Sequence, residues 1–175
     1  MNESYNKYVY EEDFRSDLRS FEYKEMIEKA DNVVLASVAA TGATGAIPIP
    51  FADAPLLIAE QVTMMVAINA IFGFNISKDT LKSLVTAAIG VSGATVIGKT
   101  IVANLLKLIP GVGSIAGGAI SAATAGLITL ALGKAYIWVC VAIKMGKLSE
   151  DDLTKKIGIE TLKLAFKEQI KKNKK

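Results

Sequence analysis

Residues Gly93-Ala94-Thr95-Val96-Ile97-Gly98-Lys99-Thr100 fit the phosphate-binding loop pattern GxxxxGK[ST] letter for letter. In a working site of this kind a strand enters the loop and a helix leaves it, so that backbone amides cradle the phosphates. A nucleotide site also needs an acidic side chain to hold magnesium. Here the preceding residues, Leu84 to Gly90, continue an alanine-rich helical pattern, and no Asp or Glu occurs between Asp79 and Glu150. The match therefore reads as coincidence, and no cofactor-binding residue is assigned.

Other reactive candidates are few. The chain has no histidine, which removes the commonest general base and the commonest metal ligand together. Asp53 and Glu60 are acids within otherwise apolar sequence. Acids so placed can form a proton or ion site inside a membrane. The reading adopted is that Asp53 caps a helix and Glu60 faces an interface or solvent. Cys140 sits in an apolar run with no basic neighbour to lower its pKa, so it is expected to be inert. No serine has a base partner at a useful spacing. The expectation is a non-enzyme with no catalytic and no metal-binding residue.

The elements around these residues are helical. Phe14, Leu18 and Phe21 share one face of a first helix over 11–32, and the pattern turns continuously apolar from Val33. Pro48 and Pro50 break it. A second helix is expected after Asp53, with Pro55 in its first turn, running to Phe72 and closed by Gly73. Ser77 or Asp79 caps a third, from about Leu81 to Leu108, and Pro110-Gly111-Val112-Gly113 ends it. A fourth apolar stretch spans Ser114 to Met145. Ser149 and Asp152 are spaced as a capping box before a last helix from Asp151 to about Lys171. Convincing strand alternation is absent, so the fold class is all-α: a bundle of about five helices built from two proline-broken helical hairpins. Weak self-similarity at an offset of 60 pairs Ile49-Pro50 with Ile109-Pro110 and Gly73 with Gly133.

Composition bounds the class further. Apolar residues make up 51% of the 175, and mean hydropathy is +0.39. Both lean toward a deeply buried bundle or a membrane protein. The net charge of +3 hides an asymmetry. An acidic amphipathic N-terminal helix (1–32) precedes a hydrophobic helical core (33–145), and a basic C-terminal helix and tail (146–175) follow. The uncharged run from Leu108 to Gly133 is long enough to cross a bilayer, which needs roughly 20 apolar residues. Yet from Ser114 to Gly126 most residues are Gly, Ala or Ser, which gain little from lipid.

Small residues recur every four positions. Gly90, Ala94 and Gly98 make one row, and Gly118, Ala122 and Gly126 another. Such glycine-zipper rows let helix backbones approach closely, in membranes or in a tight soluble bundle. At the C-terminus the lysines from Lys155 to Lys175 flank an apolar face. They suit anionic lipid and a cytoplasmic terminus, or equally a solvated helix end complementing the macrodipole. Nucleic acid is not an expected partner, because no arginine follows Arg19 and no aromatics interleave the tail.

Two blocks carry a family resemblance. Ala46-Ile47-Pro48-Ile49-Pro50-Phe51-Ala52-Asp53-Ala54-Pro55 leads into an apolar helix holding Gln61-Val62 and Met64 and ending at Phe72-Gly73. Leu105-Leu106-Lys107-Leu108-Ile109-Pro110-Gly111-Val112-Gly113 leads into Gly117-Gly118-Ala119-Ile120-Ser121-Ala122-Ala123 and on to Gly133-Lys134-Ala135. Over about residues 25–170 the chain resembles the bacterial domain of unknown function 697 family. The resemblance implies a helical, hydrophobic domain, often a membrane protein and often joined to an Era-like GTPase domain. Only about 30 residues precede the resembling region, so a stand-alone copy, or one acting with a separate GTPase, is expected. It also implies that Gly93 to Thr100 is ordinary helix.

The function expected is that of a non-enzymatic, membrane-associated helical module. It would be an anchor, scaffold or remodelling partner, with a GTPase as a candidate partner, docking through Pro48, Pro50, Asp53, Pro110, Gly111 and Gly113. It is placed at the bacterial inner membrane or its cytoplasmic face, with the cytoplasm as the alternative. The alternatives in function are a soluble interaction domain forming a homo-oligomer, and a pore-forming or toxin-like protein.

Overall fold

The computed structural model describes residues 21–44, 49–50, 54–89, 119–120 and 122–172. Among these residues the helices are α1 (Phe21–Thr44), α2 (Ala54–Phe72), α3 (Lys78–Ile89), α4 (Ala122–Lys144) and α5 (Lys156–Lys172), with a 3-10 turn at Glu150–Thr154. The fold is the expected all-α bundle. Its short antiparallel ladder joins β1 (Ile49–Pro50) to β2 (Ala119–Ile120), with Ile49 opposite Ile120 and Pro50 opposite Ala119.

Local chemistry sets the helix ends. Gly73 adopts φ +70° just past α2. Its N–H donates to Ala70 O at 3.4 Å, and the Phe74 N–H donates to Asn69 O at 2.9 Å. Gly146 repeats this closure after α4, again at φ +70°, with its N–H on Ile143 O and the Lys147 N–H on Ala142 O. Both are Schellman motifs, which need a left-handed residue that glycine supplies without strain. Ser77 caps α3 by accepting the Thr80 N–H at 3.1 Å.

The last helix departs from expectation. Ser149 and Asp152 form the anticipated capping box, but over a 3-10 turn, and the chain straightens at Lys155 before α5 begins. The physical reason lies at Gly158. A side chain there would collide with the backbone carbonyl of Asp152 and lie 2.6 Å from Leu153 Cα. The first turn of α5 folds tightly over the 3-10 turn, and a continuous helix would separate them. At the other end of the chain α1 runs through residue 32 without interruption.

Three contacts fix the direction of α1 against α4. Val38 lies by Gly126, Val34 by Gly133, and Asp31 by Lys134, so the two helices are antiparallel. Two hydrogen bonds, Gln61 to Thr129 and Tyr136 to Asn69, show that α2 and α4 run parallel. The β ladder therefore sits at the end where α1 finishes and α2 and α4 start. At the far end the Gly73–Ser77 turn meets the 3-10 turn. There the Asn75 N–H donates to Glu150 Oε2 at 3.3 Å, and the Lys144 ammonium lies 5.0 Å from the centroid of the Phe74 ring.

The core surrounds α4, which packs on α1, α2 and α5. Tyr136, Phe72, Phe166, Met64, Met65, Ile68, Leu81 and Leu132 are among its largest fully buried side chains. Ala125–Lys144 is long and apolar enough to cross a membrane, but most of it is covered by the bundle. Its apolar window includes Lys134, which the uncharged run read from the sequence leaves outside.

Candidate functional site

Polar side chains inside the bundle form a seam between α2 and α4, apart from Thr161 on α5. Gln61 Nε2 donates to Thr129 Oγ1 at 2.8 Å, with both residues buried. Two turns along, the Tyr136 hydroxyl donates to Asn69 Oδ1 at 2.6 Å. These pairs are separated in sequence by 68 and 67 residues, not by the 60 of the weak internal repeat. Among the described residues Gln61 Oε1 and Asn69 Nδ2 are buried without hydrogen-bond partners. Each carboxamide thus engages the partner helix through one of its two polar atoms, and the seam pins the register of α2 on α4.

Cys140 lies one turn beyond Tyr136 and is fully buried. Burial pushes its thiol far above the ordinary range, against a smaller opposing effect of the Tyr136 hydroxyl. The Tyr136 phenol is likewise held well above its usual range, chiefly by burial. Neither group is placed for acid–base or nucleophilic work at neutral pH. Among the described residues no three His, Cys, Asp or Glu side chains gather where they could hold a metal ion.

Charge is distributed unevenly along the bundle. Toward the far end α1 carries two exposed ion pairs, Lys24–Glu28 at 3.9 Å and Lys29–Glu25 at 2.7 Å. Farther along the α1–α4 pair, Lys134 Nζ meets Asp31 Oδ2 at 2.7 Å, partly buried. Beyond it, α1 from Asn32 to Thr44 and α4 from Ala122 to Gly133 hold no charged residue. In α2 the acid nearest this end is Glu60, half-buried, with Oε2 buried and unpartnered among the described residues. The other side of the molecule is basic: α5 carries five lysines against two glutamates.

The residues singled out from the sequence distribute as follows. Pro50 lies in β1, paired with Ala119, and Ala122 opens α4. Gly126 faces Val38, but a side-chain carbon there would meet it at an ordinary 3.6 Å. Pro48, Asp53, Gly90, Ala94, Gly98, Pro110, Gly111, Gly113 and Gly118 lie outside the described residues, as does the stretch Gly93 to Thr100. Sequence reasoning missed a glycine on which the α1–α4 contact depends. At Gly133 a side-chain carbon would lie 2.5 Å from Val34 Cγ2 and 3.1 Å from Met64 Sδ. α4 passes through this residue as regular helix, so Gly133 neither closes nor interrupts it. The signal available was its spacing of seven from Gly126, two turns along the same face.

This helical arrangement can be set beside known proteins. The sequence profile of the domain of unknown function DUF697 matches residues 12–168. The chain belongs to the DUF697 family. Among curated proteins, this DUF697 chain is similar to magnetosome membrane protein 22 of Magnetospirillum gryphiswaldense, at 27% identity over 108 residues. That match takes in 62% of this chain and 55% of the relative, so the DUF697 chain spans about half of that protein's length. No solved structure matches it.

Proposed function

We propose that this chain is a non-enzymatic, membrane-associated helical module, acting as an anchor, scaffold or remodelling partner at the bacterial inner membrane or its cytoplasmic face. The observation that carries this reading is the charge partition of the bundle. On α1 and α4 charge stops at the Asp31–Lys134 pair, and both helices continue to the ladder end without a charged residue. In water, helix ends are ordinarily the most polar part of a bundle, because unpaired backbone groups and loops gather there. The uncharged segments of α1 and α4 suit contact with lipid, and the basic α5 suits anionic headgroups. The likeness to a protein named as a magnetosome membrane protein supports the same reading. A GTPase domain is the proposed partner, following what the family resemblance implies.

The burial of α4 favours a second reading, a soluble bundle that self-associates. Flotation separates the two. Full-length protein mixed with anionic vesicles and spun through a density gradient should rise with the lipid, and the cellular protein should pellet with membranes after carbonate washing. Recovery of all the protein in the soluble fraction in both assays overturns the membrane reading.

A further inference from the structure

The exposed side of α1 changes character along its length. Its outward positions are Lys24, Glu25, Glu28, Lys29, Asn32, Leu35, Ala36 and Ala39, a regular helical stripe. The first four are charged and interlocked as ion pairs. After Asn32 the same stripe is leucine and alanine. Leu35 is 57% exposed and is the exposed large hydrophobic residue among those described. A helix that meets water along its whole length has no reason to change the chemistry of one continuous face.

A second observation points the same way. Two hydroxyls on this half of the bundle turn back onto their own helices. Ser37 Oγ donates to Val33 O at 2.9 Å on α1. Thr63 Oγ1, exposed on α2, donates to Ala59 O at 2.8 Å. Internal satisfaction of this kind is what polar groups need where water is scarce.

Resting on the membrane reading above, we propose that the outer stripe of α1 beyond Asp31 lies among the acyl chains of one leaflet, with the Asp31–Lys134 pair at headgroup level. The dimensions agree. From Asn32 to Thr44 a helix rises about 18 Å, against about 15 Å for one leaflet's share of the hydrocarbon core. The bundle docks by this stripe of α1 and does not span. The basic α5 makes binding stronger on anionic lipid.

Depth-resolved fluorescence tests this. Full-length protein with Glu25→Cys, Leu35→Cys or Ala39→Cys, each in a Cys140→Ala background, is labelled with an environment-sensitive dye. It is then bound to phosphatidylcholine vesicles with and without phosphatidylglycerol. The labels at 35 and 39 should shift to the blue and be quenched by spin-labelled acyl chains, while the label at 25 stays aqueous. Labels at 35 and 39 that stay aqueous on floating protein overturn this inference and leave the membrane reading standing. Protein that does not float removes both. Equal quenching at 25 and 39 overturns the one-leaflet depth. A label at 39 shielded without vesicles and cross-linking to a second copy assigns the stripe to a homo-oligomer and overturns the inference. As an independent variant, Leu35→Lys with Ala39→Lys should weaken vesicle binding at least about tenfold, while Glu28→Gln leaves it unchanged. Unchanged binding of the double lysine variant, with native circular dichroism, overturns the inference.

Discussion

Gly133 on α4 and Val34 on α1 meet so closely that no side chain fits between them: a carbon added to Gly133 would lie 2.5 Å from one Val34 methyl and 2.8 Å from the other. The contact sits one residue before Lys134, which pairs with Asp31 across the same two helices. One close approach and one ion pair thus clamp the antiparallel α1–α4 pair at the point where charge gives way to apolar sequence.

Gly133→Ala should therefore destabilise the fold, even though alanine is the better helix former by about 1 kcal/mol. Val34 is β-branched and stiff, so it cannot swing aside. Overpacking of this kind costs roughly 1–3 kcal/mol. In denaturant titrations Gly133→Ala should lose about 1 kcal/mol. Adding Val34→Ala should recover part of that loss, giving a coupling of about 1 kcal/mol in the double-mutant cycle. Strict additivity would show that the helices part freely at this point.

The α2–α4 seam should respond to which partner is removed. Tyr136→Phe leaves the buried Asn69 without its one partner, Oδ1 joining an Nδ2 already unpartnered among the described residues. Such an orphaned amide costs about 1–3 kcal/mol. Replacing both partners, Tyr136→Phe with Asn69→Leu, should lie closer to the parent than Tyr136→Phe alone, because this pair then leaves no orphaned amide. Thermal melts decide between these orders, and a double variant worse than the single one would assign Asn69 a different role.

The sequence made the helix ends legible and the helix contacts obscure. Gly73, Ser77 and the Ser149–Asp152 box work through bonds within about five residues, so composition and spacing reveal them. Gly133 and Gly158 are required by backbone or side chains that approach from elsewhere. In a chain this rich in glycine and alanine, nothing local marks them out. The same holds for Gln61 and Asn69, whose partners Thr129 and Tyr136 are set only by the parallel packing of α2 on α4. Asp31 belonged to the acidic N-terminal segment in sequence, and only the fold joins it to Lys134.

Cys140 should resist thiol reagents in the native protein and react promptly once denatured, since the thiol is buried and held protonated. A linked alkaline effect follows. The unfolded thiol loses its proton above about pH 8.5, while the folded one keeps it. The folded state then binds more protons, so stability falls as pH rises past that value, by up to about 1.4 kcal/mol per pH unit from this group. The Tyr136 phenol adds a similar slope above about pH 10. Cys140→Ala should flatten the alkaline limb of a melting-temperature profile between those two values. An unchanged limb would mean that the folded thiol ionises as freely as the unfolded one.

Asp152 governs the acid side in the opposite sense. Its carboxyl is held below the usual carboxylate range, first by hydrogen bonds from Ser149 and then by Lys155. The ammonium of Lys155 lies 3.0 Å from Oδ1, and the Ser149 N–H donates to Oδ2 at 3.0 Å. A folded-state pKa below the unfolded value of about 3.9 means that this carboxylate stabilises the fold above that value. The contribution is lost as pH falls through the folded pKa. The group stands at the surface, so solvent screens it and the effect is modest. Asp152→Asn should remove part of the acid-induced loss of stability below about pH 4. Ser149→Ala should cost about 1 kcal/mol at neutral pH as a lost cap, and should reduce but not abolish the effect of Asp152→Asn, because the Ser149 N–H and Lys155 still hold the carboxylate. Because this box anchors the turn over which Gly158 and α5 fold, both variants should also speed hydrogen exchange in the first turn of α5 before the α1–α4 pair is affected. Uniform acceleration across the whole bundle would show instead that the turn and the core open as one unit.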